Sequence, residues 1–248
     1  MAKQRWSKRR IIAIVCGVLL LGLSLGIWKA WPLYENVLCA LSVEYPFPLA
    51  LRGYSSDHPE KKYPPMSSVP GNLFVDYDSI APEYLSSKAE PLFCASATRA
   101  YKKLSLEDRF RQPTYFYVGY ALEGEKELLA FLESYSAFIE QGVNFDEDLS
   151  APPGQGSFGG DMFLRLSESL LSEHEADLSR MPMIIEIPDY TSTSFSFRHS
   201  GNGGHVRFWN WGTRYIKYGE GFPMTPAVIE KIGEIKRMYP STNGQQSL

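Results

Sequence analysis

Apolar positions along this chain follow three kinds of spacing, and each predicts a different element. The first is an unbroken run: Ile11 to Trp28 holds 18 residues without a charge. At a rise of about 1.5 Å per residue a helix there covers about 27 Å, close to the hydrocarbon thickness of a bilayer, and satisfies its own backbone hydrogen bonds. The second spacing is helical. Over Gly124 to Gln141 apolar residues return at Leu128, Leu129, Phe131, Leu132, Tyr135, Phe138 and Ile139, with Gly142 placed to stop the helix. Thr225-Pro226 opens another helix as cap and first-turn proline, and Val228, Ile229, Ile232 and Ile235 form its buried side.

The third spacing is that of short strands. Pro113 to Leu122, Met183 to Ile187, Ser194 to Arg198, His205 to Trp209 and Arg214 to Tyr218 are rich in aromatic and branched residues. The last two flank Asn210-Trp211-Gly212-Thr213, a hairpin loop. Pro32 to Leu51 is mainly apolar and reads as helical, interrupted by Pro32, Pro46 and Pro48. Gly53 to Gly71 is a loop of turn formers, and Asn144 to Asp161 is irregular. The order predicts an α+β protein: a transmembrane helix over residues 11–31, then an extracytoplasmic domain over 32–248 with an antiparallel sheet and inserted helices.

Charge adds a direction to this picture. The chain carries 25 basic and 28 acidic residues, yet Lys3, Arg5, Lys8, Arg9 and Arg10 all lie in residues 1–10, leaving −8 for the rest. Basic residues before an apolar run keep that end in the cytoplasm, and Trp28, Trp31 and Tyr34 suit a membrane interface. A cleaved signal peptide competes, with Ser24-Leu25-Gly26 as its cut site, but the run continues through Ile27 and Trp28, so an uncleaved signal anchor is expected. The expected location is the inner (cytoplasmic) membrane, single-pass, with lipid as partner of residues 11–31 and the remainder extracytoplasmic. The small net charge gives no sign of a nucleic-acid partner, and the composition excludes collagen-like, coiled-coil and wholly disordered chains.

Candidate chemistry is sparse. Cys16 lies in the apolar run; Cys39 and Cys94 form a disulfide or stand as two buried thiols. His199 and His205 could share a metal but lack a third ligand at a defined spacing. Asp146, Glu147 and Asp148 could offer oxygens to Ca²⁺, without the acidic spacing of an EF-hand. Gly154, Gly156, Gly159 and Gly160 are not followed by the Lys-Ser/Thr of a phosphate loop. Trp209 and Trp211 could form a sugar-stacking platform, although one is expected in the core and the other at an edge. No Gly-x-Ser-x-Gly, His-Glu-x-x-His or Cys-x-x-Cys occurs. The expectation is a non-enzymatic protein with no catalytic residue, no cofactor and no metal.

Three ordered blocks carry a family resemblance. Leu49 to His58 with Lys62-Tyr63-Pro64-Pro65, then Pro82-Glu83-Tyr84-Leu85 and Cys94, make up the first. Tyr117 to Leu122, Gly159-Gly160-Asp161 and Leu164-Arg165-Leu166 make up the second, and Phe197 to Phe208 with Tyr215 to Tyr218 and Phe222 to Pro226 the third. Together they resemble the type IV pilin-like proteins (pseudopilins) of the His-x9-Asp-Gly class. Two departures accompany the likeness. The apolar run lacks the family's peptidase-site Gly and its Glu, and beyond His199 the family's Asp and Gly are matched by Asn210 and Trp211. The resemblance implies a structural or interaction protein, with other pilin-like or type II secretion components as partners. Trp209, Trp211, Asp146 and Asp148 are its expected interaction surface. The alternative is an extracytoplasmic module binding carbohydrate or calcium.

Overall fold

The computed structural model describes residues 20–24, 26–31, 34, 37–41, 46–81, 83–85, 94, 103–199 and 201–240. The helices are α1 (Pro46–Asp57), α2 (Tyr77–Ile80), α3 (Leu106–Arg111), α4 (Glu125–Gln141), α5 (Glu168–Glu173) and α6 (Pro226–Met238). The strands are β1 (Tyr115–Tyr117), β2 (Leu149–Ser150), β3 (Met162–Phe163), β4 (Pro182–Glu186), β5 (Asp189–Tyr190), β6 (Phe195–Ser196), β7 (Gly203–Phe208) and β8 (Thr213–Lys217). The main sheet is antiparallel throughout, in the order β1-β4-β7-β8; β2-β3 and β5-β6 are two-stranded ribbons. The α+β class with an antiparallel sheet is thus as expected.

The transmembrane helix is not. Among the described residues no helix is long and apolar enough to cross a membrane. Residues 20–24 and 26–31 are helical, with Leu20, Leu21, Leu23, Ile27, Trp28 and Trp31 exposed. The basic tail over 1–10 and residues 11–19 lie outside the described residues. The expected signal anchor over 11–31, the lipid contact it was to make and the single-pass inner-membrane location are therefore unsupported.

Where local signals are complete, elements form as the pattern predicts. Helix α4 ends at Gly142 with φ 62°, a left-handed position that glycine takes without steric cost. Leu128, Phe131, Leu132, Tyr135 and Phe138 are buried on its inner side. Thr225 caps α6 by accepting a hydrogen bond from the Val228 N–H, Pro226 follows in the first turn, and Val228, Ile229, Ile232 and Ile235 are buried. The β7-β8 hairpin closes over Asn210 to Gly212: the Trp211 N–H donates to Phe208 O (3.0 Å) and the Phe208 N–H to Gly212 O (2.9 Å).

Two segments depart from expectation. Proline interrupts helices through its missing N–H, yet Pro46 and Pro48 fall in the first turn of α1, where no intrahelical donor is needed, so the helix runs on to Asp57. The aromatic run after Pro113 gives only three residues of sheet. The Val118 N–H still donates to Met183 O of β4 (2.9 Å), and beyond it the backbone takes a different partner: the Ala121 N–H donates to Leu164 O (3.0 Å) and the Leu166 N–H to Gly119 O (3.2 Å). One core joins sheet and helices, with α4 against α6 and aromatic rings in contact; Phe131 meets Tyr120 (centroids 5.1 Å) and Phe163 (5.4 Å). Phe131 is fully buried, so Phe131→Ala is expected to lower the unfolding free energy by about 3–5 kcal/mol in denaturant titration.

Candidate metal centre

Strand β4 lies between β1 and β7 and is buried along its whole length, yet it ends on an acid, Glu186. Ile184 faces Arg207 and Ile185 faces Val206 across the ladder, so the next step sets Glu186 beside His205. Gly204 makes this approach possible: a Cβ there would stand 2.9 Å from Glu186 O and 2.7 Å from Met224 Cε. His199 comes from the connection between β6 and β7. Asn202, at φ 56°, turns the chain, and its N–H donates to His199 O (3.2 Å).

The other two members arrive from the amino-terminal half. Cys94 reaches the same end of the sheet because its N–H donates to Thr114 Oγ1 (3.4 Å), while Thr114 O accepts from the Ile187 N–H (3.0 Å), one residue past Glu186. Cys39 lies in the helical segment 37–41. One donor atom from each of Cys39, Cys94, Glu186 and His199 lies within 4.8 Å of every other. The four residues are 0%, 1%, 3% and 5% exposed respectively.

The electrostatics follow from burial. Loss of water pushes the Glu186 carboxyl upward, but hydrogen bonds from His199 and His205 outweigh it and hold the group well below the usual carboxylate range. His199 Nε2 is 2.9 Å from Glu186 Oε1; His205 donates to Glu186 Oε2 from its backbone N–H and from Nδ1, each at 3.0 Å. Burial pulls the His199 imidazole down, but contacts with Cys39 and Glu186 carry it up to about 10. Contact with the Cys39 thiol, then burial and the Glu186 charge, push the Cys94 thiol upward.

Three chemistries compete for such a set. Of the two alternatives for Cys39 and Cys94, the structure shows two buried thiols rather than a disulfide. A Cys-His-Glu catalytic relay needs the two ring nitrogens to serve different partners. For Cys94 a single atom, His199 Nε2, faces both Glu186 Oε1 (2.9 Å) and the thiol Sγ (3.6 Å), so the imidazole cannot pass a proton from Cys94 to that carboxylate through its ring. Mutual approach of all four donors to within 4.8 Å is a geometry that one metal ion can share. Tetrahedral zinc with bonds of about 2.0–2.3 Å separates its donors by about 3.3–3.8 Å, so the set needs only a small adjustment.

The remaining residues singled out in the sequence lie elsewhere. Asn210 and Trp211 sit in the β7-β8 turn, where Asn210 Oδ1 accepts from the Gly212 N–H (3.0 Å) and Trp211 adopts φ 66°. Trp209 is core, 1% exposed and edge-on to Tyr63 at 4.4 Å, while Trp211 is 39% exposed at the edge under the Arg207 guanidinium. The two therefore form no common stacking platform. Asp148 Oδ1 accepts from the Arg165 N–H (2.6 Å), and Asp146 pairs with the Arg165 guanidinium (3.4 Å). Glu186 is the member sequence reasoning missed; its signal was a single charge inside an otherwise apolar strand, Met183 to Ile187.

Comparison with protein families, with curated proteins and with solved structures finds no match in any of the three. Two outcomes are expected from the geometry. Alkylation followed by mass spectrometry should leave Cys39 and Cys94 unmodified in the native protein and modify both after denaturation without reductant; a surviving disulfide would contradict the thiol state. Gly204→Ala should cost about 1–3 kcal/mol of stability, as overpacking of a filled site does, measured by denaturant titration.

Proposed function

We propose that this chain is a non-enzymatic structural protein organised around one Zn²⁺ ion held by Cys39, Cys94, Glu186 and His199. The observation that carries the reading is the convergence of two thiols, an imidazole and a carboxylate within 4.8 Å at residues no more than 5% exposed. Thiol and imidazole donors select a borderline-soft ion over Ca²⁺ or Mg²⁺. Four protein ligands leave no open position for substrate, which is the mark of a structural rather than a catalytic zinc site. Such an ion ties the segment 37–41 and the Cys94 region to the end of β4, contacts that chain entropy otherwise opposes. A structural or interaction role is also what the pilin-like resemblance implies.

Metal analysis of the purified protein tests this. One zinc per chain is expected, and a strong chelator should lower the thermal midpoint. Cys39→Ser and Cys94→Ser should each weaken zinc binding by more than the roughly 10–100-fold that loss of a group supporting a ligand costs. A chain that takes up no zinc in titration, and whose midpoint ignores the chelator, would overturn the proposal.

A further inference from the structure

Glu186 presents two oxygens to two different environments, and the division has a consequence for how it binds metal. Oε1 faces the ligand cluster, 2.9 Å from His199 Nε2. Oε2 faces away, toward two donors on one residue: the backbone N–H and Nδ1 of His205, each at 3.0 Å. An ionised carboxylate has only acceptors, so the shared proton resides on His205 Nδ1. The His205 ring is itself fixed. It is 5% exposed, stands perpendicular to the His199 ring (centroids 5.1 Å, 89°) and packs on Tyr215 (5.2 Å), its ladder partner on β8.

The geometry points to His205 as a positioning residue that keeps Glu186 a one-oxygen ligand; this rests on the zinc reading above. With both donors in place, Oε2 is occupied and only Oε1 is offered to the ion, which completes a four-coordinate sphere. Without the Nδ1 donor, Oε2 keeps one hydrogen bond and is free to rotate toward the metal as a second oxygen, raising the coordination number. His205 therefore acts through Glu186 and is not a fifth ligand. Groups that hydrogen-bond a metal ligand in this way typically support its affinity about 10–100-fold.

The test uses the whole chain, Zn²⁺ titration and the visible spectrum of the Co²⁺-loaded protein. The wild type should show the intense absorption of four-coordinate Co²⁺ with thiolate ligands. His205→Leu should bind Zn²⁺ about 10–100-fold more weakly, with the Co²⁺ bands several-fold less intense as coordination expands. His205→Asn, whose amide N–H falls near the place of Nδ1, should restore both properties; His205→Gln, whose amide reaches the place of Nε2, should not. If His205→Leu fails to fold, the Asn and Gln variants decide alone. Wild-type affinity and spectrum in His205→Leu, or equal behaviour of Asn and Gln, would overturn the role of His205 and leave the four-ligand centre standing. A wild-type chain that binds neither ion would overturn both.

Discussion

A carboxylate without access to water has to be surrounded by donors or by a cation, and Glu186 sets that requirement at the end of a strand buried along its whole length. Its surroundings read as the answer. Gly204 lets the neighbouring strand approach, His205 supplies two donors to one oxygen, and the turn at Asn202 carries His199 toward the other. Cys94 is moored through Thr114 at the same level, and Cys39 closes the set. Each piece has a local cause, but the reason they are together is the charge in the middle.

A second buried charge shows how different the solution could have been. Arg165 is 3% exposed, and its guanidinium donates to two carbonyls, Gly119 O (2.7 Å) and Tyr63 O, and pairs with Asp146 at the edge. That network joins the 62–66 stretch, the 118–121 stretch and the 164–167 stretch, and it employs hard oxygen acceptors alone. Around Glu186 two soft thiols stand where carbonyls or waters would suffice for a histidine–glutamate pair. A thiol is only a weak hydrogen-bond donor to a carboxylate, so two of them together argue for an ion shared by all four groups.

Legibility in the sequence tracked the range of the interactions. Helices α4 and α6 and the β7-β8 turn were readable because periodicity, cap and stop signals lie within a few residues of one another. The run from Ile11 predicted a membrane span on hydropathy alone, and among the described residues no helix is long and apolar enough for one. Aromatic and branched residues promised a ten-residue strand after Pro113, but its second half pairs with 164–166, a partner no local pattern names. The site was legible only in fragments. Cys39, Cys94, His199 and His205 each stood out as a residue type, while their separations are so large that only the fold brings them into contact. Glu186 was hidden as a lone acid in a strand, and the same strand supplies the point on which the others converge.

The central claim concerns coordination, so the most direct measurement is X-ray absorption at the zinc edge of the purified full-length protein. Two sulfur scatterers at about 2.3 Å and two nitrogen or oxygen scatterers at about 2.0–2.2 Å, one of them an imidazole, are the predicted result. A coordination sphere of nitrogen and oxygen alone, or protein that carries no zinc, would contradict it.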